Sequence, residues 1–89
     1  MRAIVTVIGK DRVGIIADVC AILAANKVNI LDISQTVMQE YFTMIMLVEM
    51  VKEGVSFEEL STILNDAGRE LSLSIRIQRE DIFNAMHRI

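Results

Sequence analysis

Residues 28–50 read VNILDISQTVMQEYFTMIMLVEM, and the division of this stretch decides the fold. Val28–Met38 and Tyr41–Met50 are two extended runs with only Gln39 and Glu40 between them. A two-residue connection leaves no room for a crossover, so the runs are expected to pair as an antiparallel hairpin. The second run carries a further signal. Met44, Ile45, Met46, Leu47 and Val48 are apolar at both parities, whereas a strand covered on one face alternates. One layer of helices does not bury such a run on both sides. A second cover for the sheet is therefore expected, and a homodimer supplies it most simply.

Outward from the hairpin, Ala3–Ile8 (AIVTVI) is short and β-branched and ends at Gly9-Lys10-Asp11, a turn signal, so it reads as a first strand. From Arg12 to Asn26 the apolar Ile16, Val19, Cys20 and Leu23 fall at i, i+3, i+4 and i+7, with Asp11 placed as the cap of a helix. Lys52-Glu53-Gly54 closes the hairpin region. Ser56 with Glu59 then forms a capping box ahead of Phe57, Leu60, Leu64 and Ala67, a second helix expected to stop at Gly68. Leu71–Gln78 (LSLSIRIQ) alternates as a half-buried fourth strand, and Glu80–Arg88 carries Ile82, Phe83 and Met86, enough for a short amphipathic helix. The order is βαββαβ. Right-handed crossovers put both helices on one side of a four-stranded antiparallel sheet, so the fold class is α+β, a ferredoxin-like sandwich. The helical extension at 80–89 competes with a second copy for the open sheet face.

At 89 residues the chain holds one core and so one domain. Its hydrophobic share of 53% is above the ordinary and comes mostly from Ile, Val, Leu and Met, which again asks for burial beyond one small core. No apolar run reaches the roughly 20 residues of a membrane span. The apolar start is too short for a signal peptide, so a cytoplasmic location is expected. Cys20 is the one cysteine and sits on an apolar stripe, which reads as core. A net charge of −3, with 9 basic and 12 acidic residues and no basic run, argues against nucleic acid as a partner.

Catalytic signals are sparse. His87 is the one histidine and stands in the last turn of the terminal helix, where it offsets the helix dipole. There is no Cys/His metal spacing, no phosphate-binding loop and no nucleophile elbow, so neither an enzyme activity nor a cofactor is expected. Asp11 reads as a cap, and Asp18 lies on the outer side of the first helix.

The informative segment is Gly9-Lys10-Asp11-Arg12-Val13-Gly14-Ile15, the elbow from first strand to first helix. A helix start leaves about four N–H groups without intrahelical partners and carries partial positive charge, so it attracts a carboxylate or phosphate. Gly14 in the first turn has two readings: a ligand comes close to the backbone there, or the helix packs tightly on a strand. Asn29 is a second candidate, since an amide both donates and accepts; its other reading is a turn residue after Asn26-Lys27.

With these residues in hand, the sequence resembles the ACT domain, a small-molecule-binding module usually attached to enzymes and regulators of amino-acid metabolism. The resemblance lies in residues 6–16 (TVIGKDRVGII), residues 26–36 (NKVNILDISQT) and Tyr41-Phe42-Thr43-Met44, and covers nearly the whole chain. The last stretch also looks like the small stand-alone ACT proteins of bacteria and archaea. The resemblance implies a dimer whose ligand sits between the elbow of one copy and the second strand of the other. Carried over, the elbow is Lys10, Asp11, Arg12, Val13, Gly14 and Ile15, and the second-strand contact is Asn29 with Ile30 and Leu31. It implies regulation by an amino-acid-like ligand of a separate enzyme or regulator. The alternative is a ligand-free module that only dimerises and docks a partner. Two other users of the βαββαβ order fit less well: an RNA-recognition domain needs aromatic residues on the open face, and an acyl-phosphate hydrolase needs an Arg–Asn pair that Arg12 and Asn29 supply poorly.

Overall fold

Each run from Ala3 to Gln78 read as strand or helix forms one, in the order β1 (Arg2–Lys10), α1 (Ile15–Ala25), β2 (Val28–Met38), β3 (Tyr41–Met50), α2 (Phe57–Leu71) and β4 (Ser74–Arg79). The computed structural model describes residues 1–10 and 13–81. The terminal helix expected over Glu80–Arg88 falls largely on residues 82–89, outside the described ones; Glu80 and Asp81 are helical.

Gln39 turns the hairpin with a φ of 56° and lets Met38 pair with Tyr41. The four strands make one antiparallel sheet in the order β2-β3-β1-β4, so β1 and β3 are central and β2 and β4 are edges. One face packs under both helices. Ala3, Val5 and Val7 of β1, Met44, Met46 and Val48 of β3, Val19 and Leu23 of α1, and Leu60 and Leu64 of α2 all have no solvent exposure. Among the described residues no polar or charged side chain is buried, so the core rests on apolar burial and dispersion alone.

The opposite face qualifies the expectation drawn from β3. Ile45 is 42% exposed and Leu47 half-buried, while their neighbours Met44, Met46 and Val48 are sealed beneath the helices. Among the described residues nothing fully covers that second apolar row of β3.

Four sequence expectations shift. The buried stripe of α1 is Ile15, Val19 and Leu23, not one led by Ile16, which is 37% exposed, and Cys20 is half-buried. The helix is apolar nearly all round (IIADVCAILAA), so periodicity alone does not fix its phase. Its N-cap is Gly14 rather than Asp11. β1 runs on through Gly9 to Lys10, opposite Phe42 and Tyr41. Finally, α2 passes Gly68 and ends at Leu71, so β4 begins at Ser74. Gly68 is a contact point, not a stop: a Cβ there would stand 2.7 Å from the Leu73 carbonyl oxygen and 3.5 Å from Ile75. The helix closes at Ser72, in the left-handed region with φ 59°, and the Leu73 N–H donates to the Gly68 carbonyl at 2.8 Å.

Gly68→Ala therefore forces α2 off β4. The expected cost is about 1–3 kcal/mol of stability, read as a lower urea midpoint at unchanged slope.

Candidate functional site

The two helices begin differently. At α2 the Ser56 Oγ accepts from the Glu59 N–H at 3.1 Å, and the Ser56 N–H donates to Glu59 Oε1 at 3.4 Å, closing the expected box. At α1 the N-cap residue has no side chain, and among the described residues no side chain caps the start. The N-cap is Gly14, with φ 92° and ψ 0°, and the first intrahelical bond runs from the Asp18 N–H to the Gly14 carbonyl at 2.9 Å. Among the described residues the amides of this first turn have no side-chain acceptor of the kind α2 has, at the end of the helix that carries partial positive charge.

Gly14 is glycine because of its backbone. A Cβ at this position would meet nothing within 4 Å, so tight packing of the helix on a strand does not explain it. A φ of 92° does, because L side chains rarely adopt it. The space beside it is open, and Val13 is 98% exposed.

Of the other elbow residues, Lys10 is exposed at the end of β1, and Asp11 and Arg12 lie outside the described residues. The Ile15 side chain is 2% exposed and belongs to the core, so only its backbone is left for the elbow. The second-strand residues sit elsewhere. Asn29 is exposed and pairs opposite Glu49, which pairs in turn with Arg2 at the start of β1. Ile30 is half-buried opposite Val48, and Leu31 is the extra residue of a β-bulge, 44% exposed. From the level of Arg2 to that of Lys10, at about 3.3 Å per residue, is roughly 26 Å. One protomer keeps the two halves of the expected site apart.

Sequence reasoning passed over the bulge and the edge it bends. Its signal is a change of parity in β2: Val28 and Ile30 are apolar at even positions, Ile33 and Val37 at odd ones. Beyond the bulge β2 is exposed throughout, with Ile33 at 42%, Val37 at 53% and Met38 at 70%, and it pairs only with β3. α1 lies over β2, and its exposed Ile16 and surface alanines Ala17, Ala21, Ala24 and Ala25 extend that apolar side of the molecule. On the open face, Ile4, Ile45 and Leu47 line a shallow groove of about 130 Å³ with Asp32, Ile33 and Ser34.

Known proteins place this geometry. Residues 2–78 match a family model described as ACT domain. A UPF0237 protein of Clostridium acetobutylicum is 61% identical over 89 residues, all of both chains. Among solved structures, an ACT domain protein from Streptococcus pneumoniae superposes with a TM-score of 0.83 at 45% identity, covering 98% of each chain. A formyltetrahydrofolate deformylase from Pseudomonas putida shares the fold, with a TM-score of 0.78 at 9% identity; the match covers 88% of this chain and 28% of that one.

Because nothing crowds Gly14, its replacement isolates the backbone term. Gly14→Ala is expected to lower stability by about 1–2 kcal/mol, and Gly14→Asn by less, since Asn tolerates the left-handed region; urea denaturation of both variants reads the difference.

Proposed function

The chain belongs to the ACT domain family, a regulatory ligand-binding fold found in amino-acid-regulated proteins, and we propose that it acts as a stand-alone regulatory module in the cytoplasm. Two copies bind an amino acid or similar small ligand between them and report it to a separate partner protein. The observation that carries this reading is the start of α1 at Gly14, which among the described residues has no side-chain cap and no atom within 4 Å of a Cβ placed there. The ligand carboxylate takes the amides of Val13, Gly14 and Ile15, beside Lys10, Asp11 and Arg12 of the same loop. Asn29 of the partner subunit, next to its Ile30 and Leu31, meets the ammonium group.

The gap of roughly 26 Å within one protomer supports a site made by two copies. Suppose β2 pairs with its own copy about a two-fold axis at Gln35. Ile33 then stands opposite Val37, Ser34 opposite Thr36 and Asp32 opposite Met38, so apolar meets apolar and like charges are kept apart. The strand carries no Lys or Arg to disturb this pairing. The reversal also brings the partner's Leu31 beside the hairpin tip at Gln39. That tip shares its end of the sheet with Lys10, because Met38, Tyr41 and Lys10 are in register. Pairing would cover Ile33 and Val37, and ligand binding would shift the dimer between arrangements only as far as its affinities for them differ. No helix among the described residues is long and apolar enough to cross a membrane.

Ile33→Lys is the sharpest probe, because Ile33 is exposed in the protomer and its exchange should leave protomer stability within about 0.5 kcal/mol. Wild-type protein is expected to sediment as a dimer and to give heat with at least one common amino acid. The variant is expected to sediment as a monomer and give none. A monomeric wild type, or binding that survives in a monomeric variant, overturns the two-copy site. A dimer silent to every amino acid favours a ligand-free docking module instead.

A further inference from the structure

The two edges of the sheet differ in chemistry. The β2 edge carries no basic residue, whereas β4 contributes Arg76 and Arg79, with Arg69 of α2 close by, in a chain where acidic residues outnumber basic ones 12 to 9. Among the described residues β4 pairs on one side only, with β1. Along it runs an open groove of about 530 Å³ lined by Asn65 and Arg69 of α2 and by Leu73, Ser74, Ile75 and Arg76. The register sets the faces. Ile75 is level with the buried Val7, on the helix side, while Arg76 is level with Thr6, on the open side. The groove therefore wraps the strand edge, with one guanidinium on either face.

We propose that this edge takes up an extended, acidic peptide segment of a partner protein, added beside β4 as a fifth strand between Arg69 and Arg76. This gives the partner of the regulatory module a chemistry, but it stands on other residues and another edge, so each reading stands or falls alone. Two arginines on opposite faces of a strand do not converge on one small anion. An added strand sends successive side chains to opposite faces, so neighbouring carboxylates reach both. β4 has six residues, about 20 Å of edge, which matches a segment of about six residues. A second copy is disfavoured as the occupant where a two-fold pairing centred on Arg76 sets that guanidinium against its own copy, whereas an acidic segment meets it with opposite charge. Asp66 already holds the Arg69 guanidinium, with their side chains 56% and 80% exposed. An exposed pair of this kind is weak, and an incoming carboxylate competes with it at little cost.

The test uses the full chain and a fluorescent acidic peptide of about eight residues, VEEVEEVT. Fluorescence anisotropy measures affinity, and hydrogen exchange locates the contact. Saturable binding is expected, with amides of Ser74–Arg79 protected. The double variant Arg69→Glu, Arg76→Glu should bind about tenfold more weakly or worse. A peptide with Pro at its central Val, which lacks the N–H a strand ladder needs, should bind poorly. The proposal is overturned by no binding, by an unchanged affinity in the double variant, by protection at β2 instead, or by equal binding of the Pro peptide or of oligothymidine, which would mean charge alone. Sedimentation and amino-acid calorimetry on the same double variant keep the two readings distinct, because both should match wild type whichever way the peptide result falls.

Discussion

Pairing of β1 with β3 is the constraint on which the rest of the molecule depends. Ala3, Val5 and Val7 lie opposite Val48, Met46 and Met44, and all six are sealed from solvent. Both helices pack on this shared apolar row, and both edge strands hang from it, β2 on β3 and β4 on β1. Since no polar side chain among the described residues is buried, this row has no hydrogen-bonded network to specify it. Shape and alternation do so: a one-residue slip between β1 and β3 would bring Ile4 and Thr6 under the helices and turn the buried residues out to water.

Two glycines, alike in sequence, answer to opposite physical demands. Gly68 sits buried in a helix because the backbone of the next strand leaves no space for a methyl group. At Gly14 a Cβ would meet nothing within 4 Å among the described residues, and the glycine is held by its dihedral angle. Only Gly68 matters to the packing of the protomer. Gly14 shapes an exposed elbow at which, among the described residues, a helix begins without a side-chain cap, although the same chain builds a complete capping box on its other helix. The contrast between the two helix starts makes the elbow a candidate for binding, beyond what a glycine in a motif suggests.

The sheet offers its edges to different kinds of neighbour. β2 is long, uncharged but for Asp32, bent by the bulge at Leu31, and continuous with the apolar outer side of α1. β4 is short and flanked by arginines. An exposed edge strand invites pairing, and charge decides with what. On this view the copy-to-copy contact and the contact to a different protein occupy opposite sides of one sheet, joined through the rigid β3-β1 pair.

The sequence by itself determined the element order, the hairpin at Gln39-Glu40 and the capping box at Ser56 and Glu59, because these rest on local periodicity, turn chemistry and short-range spacing; the ACT family came from a resemblance of motifs, which the family match over residues 2–78 bears out. It did not determine the phase of α1, where apolar residues on nearly every side make Ile15 and Ile16 equivalent until a sheet selects one. Nor did it determine the end of α2, where Gly68 imitates a stop signal and its true reason, the Leu73 carbonyl, comes from the connection to the next strand. The candidate site was legible as a list, Lys10 to Ile15 with Asn29, Ile30 and Leu31, but not as a place. Only the tertiary structure revealed that its two halves lie at opposite ends of the sheet, because distance along a strand becomes distance in space once the register is set.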